Sequence, residues 1–495
     1  MQGCECLDQI HSRIRCTFQV NRTGWDRRLS VRGDGKGLVG HAGAVLLRKC
    51  ADRVGLTAAL GGVFARRGGS PVWDRGVVLI QLAVAIALGA RSMRQIALLA
   101  HQAPVFGDPP SDSTVRRVLE PVGADAGPAL CIARARAKVR ARVWALIEAT
   151  EAGLPWLSVA GKVLTGWVVI DLDATLITAH SDKQGAAPTF KKGYGFHPLA
   201  AWCANTQECL AMLLREGSAG SNTVTDHLRV LGEAIRQIPA RRRAKILIRV
   251  DGAGATHDLV EHIQGLNTTR RTVRFTVGWA ITGVDEAAIA KLPESAWQAA
   301  VRQDGQVHPE AGVAELTHLD PRAAAWTVRL LVRRVRPSRR DAAKLTALEK
   351  QTGWKYAITA TNLGPRGMRG IAGSHQVAFI DAVHRDHAEV EDRVRTNKAM
   401  GLGNLPSATW NVNVGWVLAA NLAADLDAWT RLLGLYDDAE LARAEPQTMR
   451  YCLWHLPARL VKHARQRILK ISGTWPWKQA FLTCWARLCA LPAPT

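Results

Sequence analysis

The sequence predicts an α/β fold: a mixed sheet with flanking helices, interrupted by a mostly β segment and preceded by a basic helical region. Three observations carry this prediction. Short apolar runs that read as buried strands, led by WVVIDLDAT and ILIRVD, begin only after about residue 160. The chain before them is helical in texture, with the strongly basic run ARARAKVRARVWALIEAT from Ala133 to Thr150. At 495 residues and 47% hydrophobic content, the chain is long enough for about three domains with ample cores.

The elements follow in order. Cys4, Cys6, His11 and Cys16 form a local cluster whose spacing fits no common zinc site, and the segment reads as a plain N-terminus. The ten cysteines show no CxxC pair and no regular framework, which argues against a secreted disulfide scaffold. The run from Val77 to Ala90 is too short to span a bilayer, is bracketed by Arg75 and Arg91, and reads as a buried helix; no signal peptide or anchor is visible. Next come SMRQIALLAHQAPVFG and DPPSDSTVRRVLEPVG, a helix-turn-helix-like pair in which Ser113 caps a helix beginning at Thr114. That helix offers Arg116 and Arg117 to a DNA groove, although a plain helical hairpin has the same pattern. The basic helix from Ala133 to Thr150 reads as a phosphate track rather than a merely solvated face.

From Lys162 onward, three strand runs, a helix from Thr223 to Gln237 and KILIRVDGAG give the opening order of an RNase H-like core. VRFTVGW, VAELTHL, WTVRLLVRRV and KYAITATNL then read as an inserted β-domain. Helical texture returns with IDAVHRDHAEVEDRVRTNK and an apolar helix from about Val412 to Trp429. The expected divisions are 1–150, 160–271, 272–372, 373–435 and 436–495.

Sixty-five Lys and Arg against 42 Asp and Glu leave a net charge of +23, which suits a polyanion binder. Near the C-terminus, Arg450, Arg459, Lys462, Arg465, Arg467 and Lys470 are candidate phosphate contacts. Against this basic background two acids stand out, because Asp173 and Asp251 each end an apolar strand, where a carboxylate is costly unless something positive compensates it. A divalent cation is the natural compensator. Asp171 shares a face with Asp173, and either suits the role; Asp173 lies nearer an open edge. In HRDHAEVEDRVRTNK, the residues His384, His387, Glu391, Arg395 and Lys398 form one polar stripe, with Glu391 a third acid. Three carboxylates suit a pair of hard cations, Mg2+ with Mn2+ as a substitute, that activate a hydroxyl and stabilise a leaving oxygen in phosphoryl transfer.

With these residues in view, the chain resembles the DDE transposases of bacterial insertion sequences, in the group with an RNase H-like core, a β-strand insertion and a YREK-type signature. Asp173, Ala174 and Thr175 match the first Asp-x-Thr, Asp251 and Gly252 the second Asp with its small neighbour, and Glu391 and Lys398 the Glu and Lys of the signature. Its Tyr and Arg are replaced by His384 and His387. The second Asp lies 78 residues after the first and the Glu 140 after that, long enough for the insertion. The resemblance implies catalysis and metal binding by Asp173, Asp251 and Glu391. DNA contacts are implied for Lys398 and His387, with Arg385, Arg393 or Arg395 available to substitute for the missing Arg. It also implies double-stranded DNA partners, namely terminal inverted repeats and target DNA, a dimer in the synaptic complex, and a bacterial, cytoplasmic, nucleoid-associated setting. The group often flips a base onto an aromatic side chain of the insertion, where Trp279, Trp297 and Trp326 lie, although each reads first as a packing residue.

Rival readings are a stand-alone RNase H-like nuclease, a non-catalytic DNA-binding regulator and an inactive relic. The absence of an HxxR element, an HUH motif and a P-loop disfavours tyrosine recombinase, rolling-circle and ATP-driven chemistry.

Overall fold

The computed structural model describes residues 29–65, 73–180, 182–220 and 223–494, so the Cys4, Cys6, His11 and Cys16 cluster lies outside the described residues. The N-terminal part is helical: α1 (Ala44–Val54), α2 (Leu56–Ala65), α3 (Arg75–Ala87), α4 (Asp112–Ala124) and α5 (Ala126–Glu148). The apolar run is indeed a buried helix, α3, capped by Asp74 accepting from the Val77 N–H. No described helix is long and apolar enough to cross a membrane. The cap of α4 differs from expectation: Ser111, not Ser113, accepts from the Thr114 N–H, and the helix starts at Asp112. The element before it is a 3₁₀ run, Met93–Gln102, with a single α turn behind it.

The next elements are β1 (Val168–Ala174), β2 (Leu199–Cys203), β3 (Cys209–Leu213), α6 (Val224–Gln237), β4 (Lys245–Val250), α7 (His257–Gly265) and β5 (Thr272–Trp279). They are followed by β6 (Gln298–Val301), β7 (Val307–Glu315), β8 (Arg329–Val335), β9 (Lys355–Thr361), α8 (Val377–Arg385), α9 (Val390–Asn397) and α10 (Trp410–Gly434). The chain ends with β10 (Ala458–His463), β11 (Gln466–Ile471) and α11 (Lys478–Ala490).

One nine-stranded sheet of order β6-β7-β8-β9-β5-β4-β1-β2-β3 runs through the middle. β4 pairs parallel with β1 and with β5, and the other pairings are antiparallel. The strands from Thr272 on, read in the sequence as a domain of their own, therefore extend this same sheet. Their inward residues bury against neighbours that local pattern does not reveal, since strand pairing is a long-range choice.

The period of two splits the central strands cleanly. Val168, Ile170, Leu172, Ile246, Ile248 and Val250 face a large core built with the N-terminal helices, α6 and α10. Val169 and Leu247 face the other side with α8. There Ala200 and Trp202 of β2 pack beneath Val390 and Val394 of α9. The basic helix α5 departs from the expected phosphate track. Arg136 and Arg140 are buried, and Arg140 pairs with Glu208 at 2.6 Å and Asp425 at 2.9 Å. Arg136 holds the other oxygen of Asp425 at 2.7 Å, and the Trp144 and Trp429 indoles donate to Glu208. Two of the arginines expected on a phosphate track are thus locked to the start of β3 and to α10 by a buried ion cluster.

Candidate functional site

Continuing the alternation, Asp171 and Asp173 of β1 and Arg249 of β4, with Asp251 just past that strand's end, fall on the side covered by α8 and α9. The parallel register sets Arg249 beside Asp171. Asp171 is fully buried and receives four charged or polar contacts. Arg249 grips it at both oxygens, 2.6 and 2.8 Å, Arg393 donates at 2.6 Å, and His387 approaches through Nδ1 at 2.9 Å. Burial opposes its charge, but Arg249, His387 and Arg393 outweigh it and hold the carboxyl far below the usual carboxylate range. Arg249 also reaches Asp386 at 2.5 Å. Asp171 therefore anchors β1 to β4 and to the Glu391 helix, whereas the Asp173 carboxyl bonds only to the Ala174 N–H among the described residues.

Asp173 is in the opposite electrostatic state. Burial, then the negative charges of Asp251 and Glu391, push its carboxyl up to about 6, while the His387 ring works against the rise. Glu391 is exposed on the first turn of α9, carried there by Val390 and Val394 seated on Trp202. Three acids far apart in sequence thus share one neighbourhood at the C-terminal ends of β1 and β4. Among the described residues, no three carboxylate, histidine or cysteine side chains converge tightly enough to hold an ion in this conformation. Lys398 is half-buried nearby; burial lowers its pKa and the charge of Asp173 resists that shift.

The remaining predicted contacts divide. Arg116 and Arg117 are exposed on α4; Arg116 lies 3.7 Å from Glu120 and Arg117 bonds to the Ser113 carbonyl at 3.2 Å. Three expected DNA contacts turn instead toward protein. His387 is buried against Asp171, leaving its Nε2 without a partner among the described residues. Arg385 pairs with Asp381 at 2.9 Å and with the Val301 carbonyl, and Arg395 bridges Asp392 and Glu445, each at 2.6 Å. Arg393, a candidate to replace the missing signature Arg, is committed to Asp171. Among the C-terminal cations, Arg450 is buried against the carbonyls of Ala87, Ile86 and Ala399, and Arg467 donates to those of Pro104 and Val105.

Sequence reasoning missed Arg249 as the counter-charge of Asp171. Its signal was present: a lone Arg inside ILIRVD, two residues before Asp251 and hence on the same face. His384 is half-buried and bonds toward Thr276 at 3.3 Å. Burial, then His387 and Arg249, push its pKa down to about 3. Trp279 packs at a tilt against Trp326, 4.4 Å between centroids, with Arg322 over its ring, and the backbone beside it touches Gly252. Trp297 lies elsewhere, against Arg334 and Tyr356.

The profile of one protein family, described as "Transposase DDE domain group 1", matches residues 21–493, nearly the whole chain. The chain belongs to this family. No curated protein matches it. Among solved structures, it is similar to the chain in "Cryo-EM structure of piggyBac transposase synaptic complex with hairpin DNA (SNHP)", with 9% identity and a TM-score of 0.39, over 83% of this chain and 78% of that one.

Proposed function

We propose that this protein is a DNA transposase that frees a 3′-hydroxyl at each end of its element by metal-dependent hydrolysis and joins that hydroxyl to target DNA. On this reading its nine-stranded sheet contains an RNase H-like core in which β3-β2-β1-β4-β5 is the inner order. The observation that carries the proposal is the placement of Asp173 and Asp251 at the ends of adjacent parallel strands, with Glu391 on the helix packed over β2; burial and the two other acids disfavour the charge of Asp173.

Asp173, Asp251 and Glu391 would hold the ions. All three offer hard oxygen donors, and a cation would relieve the mutual repulsion that raises Asp173. When bound, a pair of divalent ions such as Mg2+ activates the attacking water or hydroxyl and stabilises the departing oxygen. The chain's own residues do the rest. The Asp171, Arg249 and Arg393 cluster fixes β1, β4 and α9 relative to one another, so the three acids are presented on rigid elements. Lys398 supplies a positive charge beside Asp173 for a strand phosphate, and the solvent-facing Arg116 and Arg117 add phosphate contacts from α4.

The test is cleavage of a duplex carrying the sequences that flank the gene, in magnesium or manganese. The unaltered protein nicks and then joins these ends. Asp173→Ala, Asp251→Ala and Glu391→Ala each abolish product while end binding stays near the unaltered level, because phosphate contacts dominate affinity. Binding without cleavage by the unaltered protein would indicate a regulator or relic, and cleavage without joining a nuclease.

A further inference from the structure

No acidic residue follows Glu445, so the last stretch of the chain carries only positive charge. Much of it is concentrated on one antiparallel ribbon, β10 and β11, joined by a two-residue turn at Ala464 and Arg465. Its two faces differ. Leu469 and Ile471 seat one face on the core, and Arg467 on that face is tied to the Pro104 and Val105 carbonyls at 2.7 and 3.0 Å. The strand Leu38–Val39 pairs with Ala458 and Arg459, and so fixes the base. The other face carries Arg459, Val461 and His463 opposite Lys470, Ile468 and Gln466, while Lys462, on the Arg467 face, is exposed beside the tip.

Two features of this ribbon run against its own stability. Arg459 faces Lys470 and Lys462 faces Arg467, each directly across the ladder, and like charges in that position repel. At the tip, Ala464 and Arg465 have φ of +45 and +66, left-handed conformations usually given to Asn and Gly, so an exposed Arg is held where a small residue would cost less. Arg459, Lys462, Arg465 and Lys470 are exposed, and their side chains make no ion pair or hydrogen bond with any described residue. An anionic partner would relieve the repulsion.

We propose that this ribbon is a DNA-binding element whose outer face and tip grip duplex backbone along a groove. Six residues per strand give it a length of about 20 Å, and a two-stranded ribbon is a shape that the major groove admits. It is rigidly coupled to the acidic site. Arg395 of α9 bonds Glu445 at 2.6 Å, and Arg450, ahead of β10, bonds the carbonyl of Ala399 at 2.8 Å, just beyond Lys398. Duplex held by the ribbon is thereby held in a fixed relation to the Glu391 helix. The inference rests on the proposal that the substrate is DNA, and it names the element that holds it.

The experiment measures binding of a fluorescein-labelled mixed-sequence duplex by fluorescence anisotropy across a salt series, using the full chain. The ribbon variant is Arg459→Gln, Lys462→Gln, Arg465→Gln and Lys470→Gln together; Arg467 stays because it holds the ribbon down. The control removes four exposed cations elsewhere, Arg270→Gln, Lys291→Gln, Arg340→Gln and Lys344→Gln. The ribbon variant is expected to flatten the slope of log K against log salt by roughly 2 to 4, at about 0.9 per lost phosphate contact, with the control within about 1 of the unaltered protein. Arg459→Gln with Lys470→Gln, expected to flatten it by about 1.8, keeps the test readable if the fourfold variant fails to fold. An unchanged slope in the ribbon variant, an equal loss in the control, or no duplex binding by the unaltered protein overturns the proposal. Binding that depends on the ribbon without any cleavage in magnesium would leave it standing and refute the proposed reaction instead.

Discussion

Two aspartates on one strand, two residues apart, should respond in opposite directions when neutralised. Asp171→Asn removes the carboxylate that Arg393 and His387 share and one of the two that Arg249 grips, in a buried cluster. Breaking one partner of such a buried group costs about 3 to 5 kcal/mol. Asp173 is the reverse case. In the folded chain it keeps its proton up to about pH 6, whereas in the unfolded chain it loses it near 3.8. The folded state therefore binds more protons between those values, so stability falls as pH rises through the window. At pH 7 the ionised carboxyl costs the fold up to about 3 kcal/mol, and Asp173→Asn should recover roughly 1 to 3 of these. The assay is urea unfolding followed by tryptophan fluorescence at pH 7 in chelator, comparing midpoints of the two variants with the unaltered protein. Magnesium should stabilise the unaltered protein and leave Asp173→Asn almost unmoved. A destabilised Asp173→Asn, or an Asp171→Asn that unfolds no earlier than the unaltered chain, would refute the reasoning.

Other predictions follow from the same geometry. His384 is held neutral, with its pKa pushed down to about 3, and burial, then His455 and His101, push His41 down to about 4. Their contribution is intact above about 6.5 and is lost as pH falls toward those values, so the thermal midpoint should drop steadily below pH 6.5 and His384→Gln should flatten that decline. Gly278→Ala would set a methyl 2.5 Å from the Gly252 nitrogen, displacing the backbone next to Asp251; cleavage should fall at least tenfold while duplex affinity is kept. Glu208→Gln strips charge from the cluster holding Arg140 and should cost about 3 to 5 kcal/mol of stability by urea midpoint. Among the described cysteines, Cys131 is exposed, while burial pushes the Cys50 and Cys209 thiols up to about 12, so brief iodoacetamide treatment mapped by mass spectrometry should label Cys131 well before either.

What the sequence disclosed and what it withheld have a common cause. Continuous apolar runs ending in Asp marked β1 and β4, and alternation put Asp173 and Asp251 on edges that could meet, because period and burial are local properties. The valines at 390 and 394 likewise marked the face by which the Glu391 helix would dock. Which Arg would be spent internally was not legible. Arg136, Arg140 and Arg393 carry the same local signature as the exposed Arg116 and Arg117, and only the arrival of Glu208, Asp425 and Asp171 from distant segments separates them. The same limit explains the strands after Thr272, whose alternation is plain but whose neighbours belong to another part of the chain. His387 stands where the family signature has an Arg, which suggested a phosphate contact. Its commitment to Asp171 depended on a register that no local pattern encodes.

The order in which the acids occur along the chain has a consequence for biosynthesis. Asp173 and Asp251 leave the ribosome long before Glu391, and the helix that carries Glu391 docks on a strand, β2, that emerged some 190 residues earlier. A nascent or truncated polypeptide lacking this late segment has no third acid and no Arg393 to steady Asp171. On the proposed reading, competence to cut DNA would therefore appear only once the Glu391 helix has emerged and docked, and fragments lacking it would be harmless.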